Sequence, residues 1–553
     1  MKKRITSLLL VLAMCFAMLP TAAFAVDDGG STMPAYSGGS GTQDAPWLIS
    51  SVEDLQTLAS TINSGNAAKF DANAAADGKS VAGNYYDYYF KQTTDLDLSS
   101  IENWDPIGYS GGQNLYFAGH YDGDGHTISN AKSTGKKDTN GFSTAGVFGW
   151  VAFGSVKNLT VKNADFLATG DNNMSYVGGV LAVADNCTVE NCSVYNSKIE
   201  SRREPNDNSN YAGGITGIAL TSSFEKCASV GNTIRHGSFG GGFIGALDKN
   251  NSNFTNCYVA NCIVTGCIDT AANATRSGGF QSASFGANAI LNNCFVYDCA
   301  AQPDTTSKGN DYFGVFTANT QYGKIVATSC FYYDANNATV NADSAESKTS
   351  EEFTDGTVAN LLGGAFAQGK LYPVFATDPA DYTEVDAAIA KVNALNKDNY
   401  KDFSAVEAAV NAVVRDKNIT EQSKVDAMAK AIEDAEIFIR EGKYDSAFDR
   451  VHTAFHGYLR KKLDILNEPY VESDTLNQLY NKLHTYVGTH IATDQSGIIK
   501  TTLRSASGII SSINDLRNRN SLAHPNNSII TSRDAELCIK IVKDLTDYIE
   551  KVI

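Results

Sequence analysis

Val177-Gly178-Gly179-Val180, Ala212-Gly213-Gly214-Ile215, Gly240-Gly241-Gly242-Phe243 and Ser277-Gly278-Gly279-Phe280 are one unit written four times. Their second glycines, Gly179, Gly214, Gly242 and Gly279, fall 35, 28 and 37 residues apart. Looser copies flank them at Ala145-Gly146-Val147-Phe148-Gly149 and Phe313-Gly314-Val315-Phe316. Downstream of each block comes a polar residue beside a cysteine: Asn191-Cys192, Lys226-Cys227, Asn256-Cys257, Asn293-Cys294 and Ser329-Cys330, with Lys157-Asn158-Leu159 in the first copy. Short β-prone segments at a long period, punctuated by Gly and Asn, predict a solenoid in which each turn of chain stacks on the last at about 4.8 Å. The fold class expected is multidomain, β plus α. A parallel right-handed β-helix comes first, its polar-cysteine words on strands and like residues laddered from turn to turn.

A chain of 553 residues with 43% hydrophobic content has room for several folded domains. Residues 1–25 carry Lys2, Lys3 and Arg4, an apolar run from Leu8 to Leu19, and Ala23-Phe24-Ala25, the order of a secretory signal cleaved before Val26. Cys15 sits where a lipoprotein box would place it, but Met14 is too large for the small residue needed before it. No later segment reaches the roughly 18 continuous apolar residues of a membrane span, and no wall-sorting motif closes the chain. The sequence predicts a secreted or surface-associated protein. Residues 26–443 hold 28 Lys+Arg against 48 Asp+Glu, whereas residues 444–553 hold 13 of each, so the chain changes character near 443. The boundaries expected are a signal at 1–25, a disordered linker at 26–38, the β-helix with its cap at 39–375, a helical spacer at 381–440 and a helical domain at 444–553.

Gly41-Thr42-Gln43-Asp44-Ala45-Pro46-Trp47, Asp95-Leu96-Asp97-Leu98, Trp104-Asp105-Pro106-Ile107-Gly108 and Asp122-Gly123-Asp124-Gly125-His126 precede the repeats. With these words the stretch from 39 to 375 resembles the GLUG-repeat proteins of bacterial cell surfaces. The resemblance implies a β-helical surface module and leaves its ligand open; Val358 to Phe375 reads as a short helix and a last strand. Asp122-Gly123-Asp124-Gly125 has the acid pair of a calcium loop, but Asp-Gly is also a standard tight-turn pair, and the turn is favoured. The cysteines step by five at Cys187/Cys192, Cys257/Cys262/Cys267 and Cys294/Cys299, wider than the usual spacing of structural zinc pairs. An interior thiol ladder is the preferred reading, with a few disulfides as the alternative. A polysaccharide lyase or hydrolase would need paired carboxylates or a base on one face. No such cluster recurs, so a carbohydrate or protein ligand on the β-helix is expected, with no cofactor and no metal.

From Tyr382 the apolar period becomes helical: Val385, Ile389 and Val392, then Phe403, Val406, Val410 and Val413, then Val425, Met428 and Ile432. Tyr400, Ser404 and Val425 give this bundle a resemblance to FIVAR-type surface modules, whose implied role is a spacer. Residues 444–553 read as four or five helices, the last introduced by Thr531 and Asp534 and striped by Leu537, Cys538, Ile541, Leu545 and Tyr548. Before it stands Leu516-Arg517-Asn518-Arg519-Asn520-Ser521-Leu522-Ala523-His524-Pro525. Pro525 ends the helix at His524, and the negative end of that helix favours an imidazolium able to move a proton near neutral pH. This word resembles the HEPN superfamily, and within it the Abi-C domain of abortive-infection proteins. The resemblance implies Arg517, Asn518 and His524 as site residues, with Arg519 giving an alternative register. In active members the His moves a proton, the Arg stabilises phosphate charge, and two copies dimerise to cleave RNA without metal. A neutral domain and an export signal weigh against an RNA partner. A structural or partner-binding domain is preferred, and an endoribonuclease is the rival.

Overall fold

The computed structural model describes residues 34–67, 85–170, 173–202, 209–266, 275–303, 312–318, 325–335, 345–397, 403–441 and 444–490, together with parts of 499–549. Contacts divide the chain into two units, Met1–Phe375 and Ala376–Ile553.

In the first unit each full turn of chain crosses five sheets. One turn runs through Thr188–Glu190, Ser193–Tyr195, Lys198–Arg202, Asn210–Gly213 and Thr216–Leu220, and the next restarts at Ser223–Glu225. The sheets to which these strands belong, here called A to E in that order, hold nine, nine, six, seven and five strands. Turns pair in parallel and in register, as Thr188↔Ser223, Val189↔Phe224 and Glu190↔Glu225 show in sheet A. The chain therefore forms the parallel β-solenoid that its period predicts.

Register converts the repeat into columns. Phe90, Tyr121, Val156, Val189, Phe224, Phe254 and Leu291 succeed one another on the inner face of sheet A, all buried. The block residues Phe243, Phe280 and Phe316 stack ring on ring at 4.8 and 5.4 Å. The N-terminal end of this core is closed by α1 (Val52–Asn63), whose Ser51 cap accepts a hydrogen bond from the Asp54 backbone N–H and whose Leu55, Leu58 and Ile62 are fully buried.

The polar-cysteine words lie at corners and not on strands. Asn191-Cys192 connects the strand ending at Glu190 to the strand starting at Ser193. Asn158, Asn191, Lys226, Asn256, Asn293 and Ser329 all have φ between 50 and 56°. A second column of left-handed residues, Asn130, Asn163, Asn196, Gly231 and Asn261, turns the chain from sheet B to sheet C. Asn supplies such a conformation at lower cost than other residues with a Cβ, because its short amide bonds locally. The amides also bridge turns: Asn191 Nδ2 donates to Asn158 Oδ1 at 2.9 Å, and Asn158 Nδ2 to Asp122 Oδ1 at 2.9 Å. In the first turn this corner is longer: Asp124 is left-handed (φ 51°) and its backbone N–H donates to Asp122 Oδ1 at 2.9 Å, so Asp122-Gly123-Asp124-Gly125 is a turn.

Each corner then delivers a cysteine inward. Cys192, Cys227, Cys257, Cys294 and Cys330 form one buried column, Cys262 and Cys299 belong to another, and Cys187 meets Ser222 Oγ at 3.7 Å. All eight are free thiols. Removal from water disfavours the thiolate and pushes Cys187 up to about 12. Because all eight side chains are buried, iodoacetamide at pH 8.5 should leave them unmodified in the folded chain and label them all in denaturant, as read by peptide mass mapping. Labelling of Cys227 or Cys257 under native conditions would contradict the buried column.

Between Val358 and Phe375 the short helix expected is present, but two strands follow it rather than one, and a further short helix precedes it. Two short helices, α2 (Ser350–Thr354) and α3 (Thr357–Leu362), are separated at Gly356, whose φ of 94° interrupts one continuous helix. An antiparallel hairpin follows, Phe366–Gln368 with Pro373–Phe375. Phe353, Val358, Leu362, Phe366 and Phe375 pack against the outward residues Tyr258, Phe295, Tyr297 and Phe331 of sheet B.

The second unit is helical: α4 (Thr383–Asn393), α5 (Ser404–Asn411), α6 (Gln422–Glu441), α7 (Tyr444–Ile465) and α8 (Leu476–His490), with further helical residues at 501–512 and 540–546. The α5 helix starts at Phe403, which makes no side-chain cap. One hydrophobic core runs through all of them. Val385, Val392, Val406, Val425 and Ile432 belong to the same buried cluster as Leu459, Leu463, Leu479, Leu483, Leu503 and Ile549.

Candidate functional site

The glycine pairs lie between sheets D and E, and they bend the solenoid wall inward. At Gly242 a Cβ would stand 2.0 Å from the Gly279 carbonyl oxygen of the next turn and 2.7 Å from Val259 Cγ1. At Gly214 it would meet Ser229 Oγ at 2.0 Å and the Gly242 carbonyl oxygen at 2.1 Å. Only a residue without a side chain fits a backbone pressed against both the core and the next turn. The outer faces of sheets D and E consequently face each other across a re-entrant cleft. Their outward residues form an apolar cluster separate from the interior: Tyr176, Tyr211 and Phe239 from sheet D, and Val183, Ile218, Ala246 and Ala283 from sheet E.

One wall of this cleft is a ladder of flat side chains in register. Phe142 stacks on Tyr176 at 6.4 Å, Tyr176 on Tyr211 at 5.2 Å and Tyr211 on Phe239 at 5.1 Å. Arg276 follows, its guanidinium 5.2 Å from the Phe239 ring and 5.2 Å from the Tyr312 ring. From the opposite wall Phe285 lies edge-on to Phe239 at 5.1 Å. Burial holds the Tyr176 and Tyr211 phenols above their ordinary range, and the charge of Asp248 adds to the effect. Rings stacked face to face have spent their faces on one another. The ladder interior is thus a second small core, and binding surface remains only at its edges and its end. Tyr312, on the last strand of sheet D, is 39% exposed.

The second unit contains a cleft of about 380 Å³ between α4, α5 and the C-terminal helical segment, floored by Val392, Val406 and Val410. Glu407 accepts from Lys397 Nζ at 2.9 Å and from Lys543 Nζ at 2.8 Å, which lowers its carboxyl below the usual range and ties α5 to the end of the chain. Between α7 and α8, Asp474 accepts from Lys482 Nζ at 2.6 Å and from the Val471 backbone N–H at 3.0 Å, while its own backbone carbonyl meets His456 Nε2 at 3.0 Å. These charge-assisted bonds fix the turn between the two helices. The sequence reading passed over them, because a half-buried lysine-aspartate pair has no signature in spacing. Arg517, Asn518, Arg519 and His524, with the Thr531 and Asp534 helix start, lie outside the described residues. Among the described residues no cluster of His, Cys, Asp and Glu is placed to hold a metal, and no helix is long and apolar enough to cross a membrane.

Comparison with known proteins places a family on the second unit. A stretch of 161 residues, 28% of this chain, is 30% identical to halomucin of Haloquadratum walsbyi, of whose length the match covers 2%. Residues 426–553 match the Abi_C family, described as a HEPN-like domain. That match begins inside α6 and spans α7, α8 and the segments that complete their core. The chain is thus a parallel β-solenoid followed by helices that end in a HEPN-like Abi_C domain.

Proposed function

We propose that this is an exported bacterial surface protein whose solenoid is a binding scaffold and whose helical unit mediates dimerisation or contact with a partner. The observation that carries the reading is the re-entrant cleft. An interior core alone would stabilise the solenoid, yet sheets D and E also bring an in-register row of aromatic side chains to the outer wall. The rings within the row are buried against one another, so the surface it offers a carbohydrate or protein ligand is its end, where Tyr312 is 39% exposed beside Arg276. The signal-like residues 1–25 and the resemblance of residues 39–375 to GLUG-repeat surface proteins support export. The mature chain, labelled and incubated with immobilised polysaccharides and whole bacterial cells, should be retained in a saturable manner. Retention no greater than that of an unrelated acidic protein would remove the binding reading.

A second reading is favoured by the Abi_C match itself: a metal-independent ribonuclease carried on the solenoid. His524 would transfer the proton, Arg517 would stabilise the phosphate charge, Asn518 would orient the pair, and Arg519 is the alternative cation. The full chain should then cleave single-stranded RNA in EDTA, and His524→Ala and Arg517→Ala should each lower the rate at least about 100-fold, the scale of general acid-base catalysis, with circular dichroism unchanged. A folded chain without activity leaves an interaction module.

A further inference from the structure

We infer that Arg276 and Tyr312 form a subsite for the carboxylate of a uronic-acid-bearing polysaccharide, an inference that rests on the binding-scaffold reading of the solenoid. Arg276 occupies a position that Tyr176, Tyr211 and Phe239 fill with aromatic rings in the preceding turns. Both faces of its guanidinium are covered, one by Phe239 and the other by Tyr312, at 5.2 Å each. Stacking between two rings suits the flat, weakly hydrated guanidinium and would not suit a lysine ammonium.

Covered faces leave the in-plane N–H donors as the only route to a ligand. No carboxylate pairs with Arg276 among the described residues, and its Nε is buried without a hydrogen-bond partner. The two terminal amino groups of the same guanidinium make no hydrogen bond among the described residues and, unlike Nε, are not enclosed, so they are the donors open to an acceptor from outside the chain. Two parallel donors on a planar edge match the geometry of a carboxylate, which takes both at once.

The carrier of that carboxylate follows from Tyr312. Its strand is the last in sheet D, one of its faces meets Arg276, and the ring is 39% exposed. A pyranose ring set beside the exposed edge of Tyr312, rather than on the far face of the ring, can bring the C6 carboxylate of a uronate to the in-plane donors of the guanidinium, which lies 5.2 Å from the Tyr312 ring. Charge argues against polyanions of higher density. Residues 26–443 carry 28 Lys+Arg against 48 Asp+Glu, so a single half-buried arginine fits an isolated monoanion better than a dense row of sulfates.

The test titrates the full mature chain with an oligogalacturonate hexamer by calorimetry. Parallel titrations use the same oligomer with its carboxylates reduced to alcohols, and a sulfated dextran oligomer. The expected result is binding of the oligogalacturonate, with little or none for the reduced oligomer. Arg276→Gln should weaken binding at least 10-fold and Arg276→Lys nearly as much, with Tyr312→Ala intermediate. Thermal melts of each variant identify any that fail to fold. In that event competition by free galacturonate against the wild-type chain decides the same question, and absence of competition overturns the subsite. Equal binding by wild type and a folded Arg276→Gln, or preference for the sulfated oligomer, also overturns it. Retention on neutral polysaccharides or cells that is indifferent to Arg276 would overturn the subsite while leaving the scaffold reading intact. Loss of all retention would remove both.

Discussion

Gly242→Ala should cost on the order of 3 kcal/mol or more, at the upper end of overpacking effects, although it adds a single methyl group. The methyl would stand 2.0 Å from the Gly279 carbonyl oxygen, a backbone atom held in register by the next turn. Relief therefore requires displacing a whole strand rather than rotating a side chain. The substitution should lower the melting temperature of the solenoid and accelerate amide exchange in the strand Ile244–Asp248 that follows the corner and in Gln281–Phe285, its partner in the next turn. Gly364→Ala is the matched control, since its Cβ would meet nothing within 4 Å. If both variants melt with the wild type, the inward bend between sheets D and E is wrong, and the cleft with it.

A fragment cut at the family boundary, residues 426–553, should fail to fold cooperatively, whereas residues 376–553 should melt as one unit. The cut removes α4, α5 and the first turn of α6, and with them Val385, Val392, Val406 and Val425, each at most 3% exposed in a core shared with the C-terminal helices. Burial of such a side chain contributes about 1.5–3 kcal/mol, so losing four approaches the 5–15 kcal/mol that typically holds a domain together. The Glu407–Lys543 pair would be lost as well. Far-UV dichroism with thermal melts, and ANS binding for exposed apolar surface, separate the two fragments. A cooperative melt of 426–553 near that of 376–553 would mean that the upstream helices only decorate the domain. A nuclease assay on an isolated C-terminal piece is also uninformative until this is known.

Much of the solenoid was legible because its period is written in residues with strong conformational demands. The paired glycines, the asparagines and the cysteines each recur once per turn, and each marks a fixed place: an inward bend, a left-handed corner, an interior column. Their roles were less legible than their recurrence. Asn191-Cys192 reads as part of a strand because cysteine is β-tolerant, and only the φ of 50° at Asn191 shows it to be a corner. The outer ladder was invisible for a related reason. Tyr176 and Val177 are adjacent in sequence, and which of them faces the core depends on the direction of the bend at Gly178-Gly179. In the helical unit the apolar stripes located helices α4 to α6, but periodicity does not say which stripes share a core. That Val406 and Leu459 belong to one cluster is a tertiary fact. The Arg517-to-His524 word was carried by resemblance and lies beyond the described residues.

The spacings of 35, 28 and 37 residues between successive glycine pairs have two origins, the larger between sheets C and D and the smaller at the corner from sheet E to sheet A, where Asp248 to Asn253 takes two residues more than Leu220 to Ser223. Corners from sheet A to sheet B and from B to C keep their length from turn to turn, whereas the passage from sheet C to sheet D is made by residues 170–174, 203–209, 237–238, 267–275 and 304–311 in successive turns. Most of the length variation thus falls between sheets C and D, immediately before the strands that carry the aromatic row. Insertions and deletions there leave the register of five sheets untouched. A lineage can therefore rewrite that margin one turn at a time, as a typesetter changes marginal notes without resetting the page, and the diversity of such a protein among relatives should concentrate along this seam.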